Sequence, residues 1–383
     1  MLSMTDLRRR LGIEHAIVQA PLGGGPTTPE MVVAVVEAGA LGSLAGGYLS
    51  GAAITAAVGT VRARTDRPFA INLLVPPSSA PPSTAGVADM LAWLAPYYQE
   101  LGLPPPSIPE RFAEPFAEQV QAVLAARPAV FSFTFGIPSA DVLAACRAAS
   151  IVTMGTATTV AEGRLLEQAR VDAVVAQGSE AGGHRGTFAG PFQAGMIGTM
   201  ALVPQMVDAL SVPVVAAGGI MDGRGIVAAR ALGAAGVQLG TAFLACAESG
   251  IPAVYKNAIR AARDDATTVT RAFSGRPLRV VRNRFVDEMD ERPTPEYPVQ
   301  NTLTRPLRAA AAARGDASLM GLLAGQGAHL ARETSCAQLV HQLVEEFEAV
   351  VARLAGLAPP SGEPVVAAAR QGSGRREPRG GSA

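Results

Sequence analysis

Only four histidines occur in the 383 residues, and one of them, His184, lies in the stretch AQGSEAGGHRG directly behind two glycines. A histidine in a packed core has bulky neighbours, whereas Gly182, Gly183 and Gly186 keep this one open. With an unperturbed pKa of about 6.5, an imidazole there can serve as a general base or as a cationic donor to an anion. His15, His329 and His341 stand at a strand entry and in a C-terminal helical region, where a structural or solvated role is expected. Glu180, close by, reads as a loop carboxylate rather than as an orienting partner for His184.

Glycines recur at other strand ends. Gln19-Ala20-Pro21-Leu22-Gly23-Gly24-Gly25 follows the first strand candidate, Gly218-Gly219 the seventh and Gly240-Thr241 the eighth, after Gln238-Leu239. Such turns bring bare backbone close to a large ligand. Loops of this kind, with a helix N-terminus behind them, also suit a phosphate, and the Thr241 hydroxyl adds a donor. A phosphate-tailed planar cofactor such as FMN fits that pattern, with Asn72 and Gln177 placed to hydrogen-bond the polar edge of its ring. The match of Gly223, Gly225 and Ala228 to a dinucleotide fingerprint is discounted, because the following strand ends in glycine and threonine rather than in a ribose-binding carboxylate.

These residues need a scaffold. Short apolar runs (AIVQAP, LGSLAGG, FAINLLVP, VFSFTFG, IVTMGT, DAVVAQG, VPVVAAGG, AGVQLG) alternate with helix-period segments as far as Ala247. Eight strand candidates, each followed by a helix or by a loop leading into one, predict an α/β chain folded as a TIM (β/α)8 barrel. A doubly wound open sheet is the alternative. Active sites of such barrels lie at the C-terminal ends of the strands, where the glycines and His184 collect. The division expected is an FMN-binding barrel over 1–260, with a proline-rich insertion or cap over 76–114 after strand 3. An extension over 261–358, irregular in 271–298 and then helical, packs on the barrel, and a disordered tail covers 359–383.

Composition narrows the partners. Thirty-two Lys and Arg balance thirty-two Asp and Glu, which argues against a nucleic-acid surface. No unbroken apolar run reaches membrane-spanning length, and a cytoplasmic protein with no membrane contact is expected. Cys146, Cys246 and Cys336 are far apart in sequence and read as small buried hydrophobes, so no metal is expected.

The chain resembles the nitronate monooxygenase family, formerly called 2-nitropropane dioxygenases, and within it the class I branch. The resemblance rests on QAPLGGG, AINLL, AQGSEAGGHRG, VVAAGGIMDGRG, VQLGTAF, YKNAI and RAFSGRPLRVVRNRF, and on the stretch from Asn301 to Arg332. It implies FMN held non-covalently by Asn72, Gln177, Gly182, Gly219 and the Gln238–Thr241 run, with Pro21, Leu22 and Gly23 along the ring. It implies His184 as the catalytic residue, taking the α-proton from neutral nitroalkanes. Nitronates then react with dioxygen through a flavin semiquinone to a carbonyl compound and nitrite or nitrate. Tyr255 and Lys256 match a family motif beside the site and stand as substrate-pocket candidates. One departure concerns the fourth strand: where the family often reads SFHFG, this chain has Thr134 in SFTFG. Small-molecule partners only and a monomer or homodimer are expected. The rival on the same barrel is an NAD(P)H-dependent FMN reductase acting on enoyl-ACP or quinones.

Overall fold

The structure, a computed structural model, describes residues 4–76 and 84–356. In chain order the strands are β1 (Ile17–Gln19), β2 (Ser43–Ala45), β3 (Ala70–Leu74), β4 (Val130–Thr134), β5 (Val152–Ala157), β6 (Ala173–Gln177), the two-residue β7 (Gly183–His184), β8 (Val214–Ala217), β9 (Gly236–Leu239), β10 (Thr267–Thr270) and β11 (Leu278–Val281). Eight of them form one parallel sheet in the order β1-β9-β8-β6-β5-β4-β3-β2. Its two edges meet where Val18 bridges Leu41 in parallel register, with the Gln19 N–H donating to the Leu41 carbonyl at 2.9 Å. This is the TIM barrel that the alternation of runs predicts, and the open sheet is set aside.

The strands read as unbroken apolar runs because both faces are buried. Inside the barrel, Val18, Leu41, Val130, Met154, Val175 and Val215 pack together, and Leu7 and Leu11 of the N-terminal helix join this cluster. Facing outward, Ile71, Phe131, Phe133, Val174 and Val237 meet the helices. Polar residues open several of those helices: the Thr28, Ser50, Thr159 and Asp222 side chains each accept a hydrogen bond from a first-turn amide.

A second apolar cluster lies beside the barrel. The helix Val87–Glu100, from the proline-rich segment, contributes Met90, Leu94 and Tyr98, which pack with Phe273, Phe285 and Leu303. The Tyr98 hydroxyl donates to the Leu303 carbonyl at 2.9 Å, and Arg284 grips Glu100 with two nitrogens at 2.8 and 2.7 Å. The stretch 271–298, expected to be irregular, instead holds β11 and the helix Arg284–Met289. β11 pairs antiparallel with β10 on one side and with β7 on the other. The expected tail over 359–383 lies outside the described residues.

Candidate active site

A cavity of about 720 Å³ opens at the C-terminal ends of the barrel strands, within the roughly 300–1,000 Å³ usual for small-molecule sites. Nearly all residues singled out in the sequence line it. Pro21, Leu22 and Gly23 come from the turn after β1, Asn72 from β3 and Thr134 from β4. Gln177, Gly182, Gly183 and His184 come from β6 and the loop beyond it, Gly218 and Gly219 follow β8, and Gln238, Gly240 and Thr241 belong to β9 and its turn. Tyr255 also faces the cavity, its hydroxyl donating to the Leu323 carbonyl at 2.9 Å.

Two candidates lie elsewhere. Leu239 is 1% exposed and packs in the outer apolar layer, because successive strand residues point to opposite faces and Gln238 takes the inward one. Lys256 points away from its neighbour Tyr255. Its ammonium donates to the Cys246 carbonyl at 2.5 Å, closing the end of the short helix Thr241–Leu244.

Gln177, on the cavity wall, is tied to the histidine's own loop. Its Nε2 donates to the His184 carbonyl at 3.0 Å and its Oε1 accepts from the Gly186 N–H at 2.8 Å, so the amide clamps the loop that carries the histidine. Asn72 donates through Nδ2 to Ser132 at 3.0 Å, which leaves its carbonyl oxygen uncommitted. Glu180 accepts from the Thr199 N–H and hydroxyl, both at 2.9 Å, and so caps the following helix rather than orienting His184. Beneath them Arg185, 1% exposed, donates to the carbonyls of Gly178 at 2.6 Å, Gln177 at 3.0 Å and Gly195 at 2.9 Å.

His184 is held edge-on between two rings, Phe135 at 5.5 Å and Tyr297 at 5.8 Å. Its Nε2 lies 2.9 Å from the Ser274 hydroxyl. Burial, reinforced by the positive charges of Arg276 and Arg308, lowers its pKa to about 3, so the ring is neutral at physiological pH. The cationic form weighed in the sequence is therefore not the resting form. Phe135 has φ 80, a backbone conformation that a bulky residue adopts only under constraint. In that pose its ring carries the Arg276 guanidinium 3.8 Å above it while its edge meets His184.

Three arginines at this end of the molecule escaped the sequence reading. Arg305 and Arg308, on the helix Val299–Arg314, line the cavity, whereas Arg276, from the loop before β11, stays outside the lining with its guanidinium over the Phe135 ring. Burial lowers the pKa of Arg276 and of Arg308 to about 10, yet both stay charged near neutrality. Arg308 donates to the Asn301 carbonyl and side-chain oxygens at 2.8 and 2.9 Å, and Arg276 donates to the Arg185 and Thr187 carbonyls. Among the described residues no carboxylate pairs with any of the three. Arg305 is exposed, but at the partly buried Arg276 and Arg308 positive charge without a counter-ion is costly unless a ligand of the opposite sign arrives.

The glycine turns suit the expected cofactor. Gly218 and Gly219 have φ 112 and 72, which favours glycine, and a side-chain carbon on Gly218 would press on Thr199 at 3.0 Å. Gly24 and Gly25 have open space on that side, and at Gly240 the nearest atom is 3.4 Å away. Thr241 accepts from the Gly325 N–H at 2.9 Å, so its hydroxyl hydrogen is free to donate. Gly182 is bare for another reason: a Cβ there would lie 2.5 Å from the backbone of Ala324 and Gly325.

Fold and cavity together define a TIM barrel with a glycine-bordered cavity and a neutral histidine at the C-terminal ends of its strands. The nitronate monooxygenase family matches the chain over residues 5–346. A probable nitronate monooxygenase of Staphylococcus aureus (strain Newman) is 40% identical over 354 residues, covering 92% of this chain and 99% of the relative. Its counterpart in Staphylococcus saprophyticus is 42% identical over 347 residues, covering 90% and 97%. Among solved structures, nitroalkane oxidase from Streptomyces ansochromogenes superposes with a TM-score of 0.86 at 40% identity, covering 91% of this chain and 99% of that one. FabK from Thermotoga maritima gives 0.72 at 28% identity, covering 92% and 98%. The chain belongs to the nitronate monooxygenase family.

The low pKa of His184 has a consequence for stability. The unfolded chain protonates this residue near its usual value, about 6.5, whereas the folded chain resists until about 3. Between those values the unfolded state binds more protons, so the stabilisation is complete above the upper one and lost as pH falls. The melting temperature of the wild type is expected to drop faster from pH 7 to pH 5 than that of His184→Asn. Parallel curves would mean that His184 is solvated.

Proposed function

We propose that this protein is an FMN-dependent nitronate monooxygenase. It oxidises alkyl nitronates, such as propionate 3-nitronate, with dioxygen to a carbonyl compound plus nitrite or nitrate. We place it in the cytoplasm, as a monomer or homodimer. The observation that carries the reading is the neutral His184 set beside Arg305 and Arg308 in a cavity that is bordered by glycine turns and has no carboxylate lining it among the described residues.

The bound FMN supplies the electron-accepting chemistry. Gly218, Gly219, Gly240 and Thr241 would hold its phosphate, and the β1 turn and Asn72 would meet its ring. The remaining steps belong to this chain. The arginines neutralise the nitronate charge, and His184 takes the α-proton when a neutral nitroalkane is bound. A base with so low a pKa is weak on its own. The negative charge that develops beside it raises its proton affinity while the arginines stabilise the anion. Preformed nitronates, which need no such transfer, are the better substrates on this geometry. Thr134, 3.4 Å from the Thr156 hydroxyl, puts a small neutral group where the family often has an imidazole.

The test is anaerobic mixing of the flavin-loaded protein with propionate 3-nitronate and, separately, with NADH or NADPH. Prompt loss of the oxidised-flavin absorbance with the nitronate alone is expected. Bleaching by NADH or NADPH, with the nitronate inert, would replace this reading by that of a reductase.

A further inference from the structure

His184 has no carboxylate partner among the described residues. Its one hydrogen bond through the ring is to Ser274, which comes from the loop between β10 and β11. Ser274 is 1% exposed, and its oxygen has three polar neighbours: the His184 Nε2 at 2.9 Å, the Arg276 carbonyl at 3.0 Å and the Arg276 N–H at 3.3 Å. A hydroxyl has one hydrogen to give and two lone pairs to fill. The carbonyl can only accept, and it takes the hydroxyl hydrogen. The Arg276 N–H can only donate, and it fills one lone pair. All three contacts are satisfied together only if the imidazole fills the second lone pair, which requires the ring proton on Nε2. With that proton placed, Nδ1 carries the lone pair and has no hydrogen-bond partner among the described residues.

We propose that Ser274 is a positioning residue that fixes His184 as its Nε2–H tautomer and so leaves Nδ1 as the proton-accepting nitrogen. The use made of that nitrogen rests on the function proposed above; the tautomer does not. A neutral imidazole otherwise divides its proton between two nitrogens, and only the population with a free lone pair toward the carbon acid is competent. The groups facing the ring fit a neutral state. Phe135 and Tyr297 bring ring contacts, and Arg276 and Arg308 bring positive charge that opposes a second proton. A serine held by backbone alone suits this: a carboxylate at the same place would favour the imidazolium instead.

The experiment is a two-bond proton–nitrogen NMR spectrum of the flavin-loaded protein with nitrogen-labelled histidine at pH 7.5, with the His184 signals assigned by their loss in His184→Gln. An unprotonated Nδ1 and a protonated Nε2 are expected. In Ser274→Ala the two nitrogens should average toward a mixed state, and Ser274→Thr, which keeps the hydroxyl, should restore the pattern. With nitroethane, kcat/KM of Ser274→Ala should fall about tenfold while that for ethyl nitronate changes less than threefold, a split that general loosening of the fold would not give. A proton on Nδ1 in the wild type, or an unchanged tautomer in Ser274→Ala, would overturn the proposal. If the wild type oxidises neither compound, the functional reading fails while the spectrum still decides the tautomer.

Discussion

Replacing His184 by asparagine is expected to lower kcat/KM for neutral nitroalkanes by about 10²–10⁴-fold, the usual worth of a positioned base. Preformed nitronates should lose about tenfold or less, because they forfeit only one neutral hydrogen bond. The two substrates separate the roles cleanly. Proton abstraction would need the lone pair of the imidazole, whereas the proposed anion binding rests on Arg305 and Arg308, which the substitution leaves in place. Asparagine stays polar but ends where the imidazole Nδ1 lies, short of Ser274; the loop should keep its path because the Gln177 amide holds the residue-184 carbonyl and the Gly186 N–H. Steady-state rates with nitroethane and with ethyl nitronate, measured on flavin-replete protein, check this. Equal losses on both substrates would assign His184 to binding alone.

The second large effect is expected at Gly182, and it is structural. A methyl group there would lie 2.5 Å from the Ala324 carbonyl carbon and the Gly325 nitrogen, both main-chain atoms. The segment it would displace is tied down at two points: the Gly325 N–H donates to Thr241 at 2.9 Å and the Gln326 N–H to the Glu180 carbonyl at 3.0 Å. Overpacking against fixed backbone costs about 1–3 kcal/mol and often more. At roughly 2–4 °C per kcal/mol for large domains, Gly182→Ala should melt about 2–12 °C lower. It should also retain less flavin, because Thr241 moves with its partner. Gly183→Ala is the control. Its φ of 74 disfavours a side chain, but the nearest atom would be a leucine methyl at 3.6 Å, so its loss should be smaller. Equal melting of the two variants would show that the segment 324–326 yields freely.

The barrel was legible because its strands are buried on both faces and spell themselves as apolar runs, and because glycines mark the mouth. His184 was legible for the same reason: it interrupts a run of bare residues. What sequence order hides is the wall opposite. Ser274, Arg276, Tyr297, Arg305 and Arg308 come from segments beyond the barrel, and arginine is the chain's ordinary cation. Their gathering depends on the pairing of β7 with β11 and on the helix Val299–Arg314 lying over the cavity. RAFSGRP and NTLTRPLR were visible as motifs, but nothing local says that they face His184. The misplacements of Leu239 and Lys256 have a simpler origin. Each neighbours a residue that lines the cavity, and one step along a strand or helix turns a side chain away from it. For Leu239 the alternation against Gln238 was available in the sequence.

The strand that carries the histidine is only two residues long, and its partner is made much later. Gly183 and His184 find their register against Arg279 and Leu278. On the ribosome all eight barrel strands emerge before β11 does, since β9 ends at Leu239. A nascent chain can therefore close its barrel while the histidine loop still has nothing to pair with. The histidine loop is finished after the barrel, so a chain interrupted in synthesis at that point lacks the contact that orders His184.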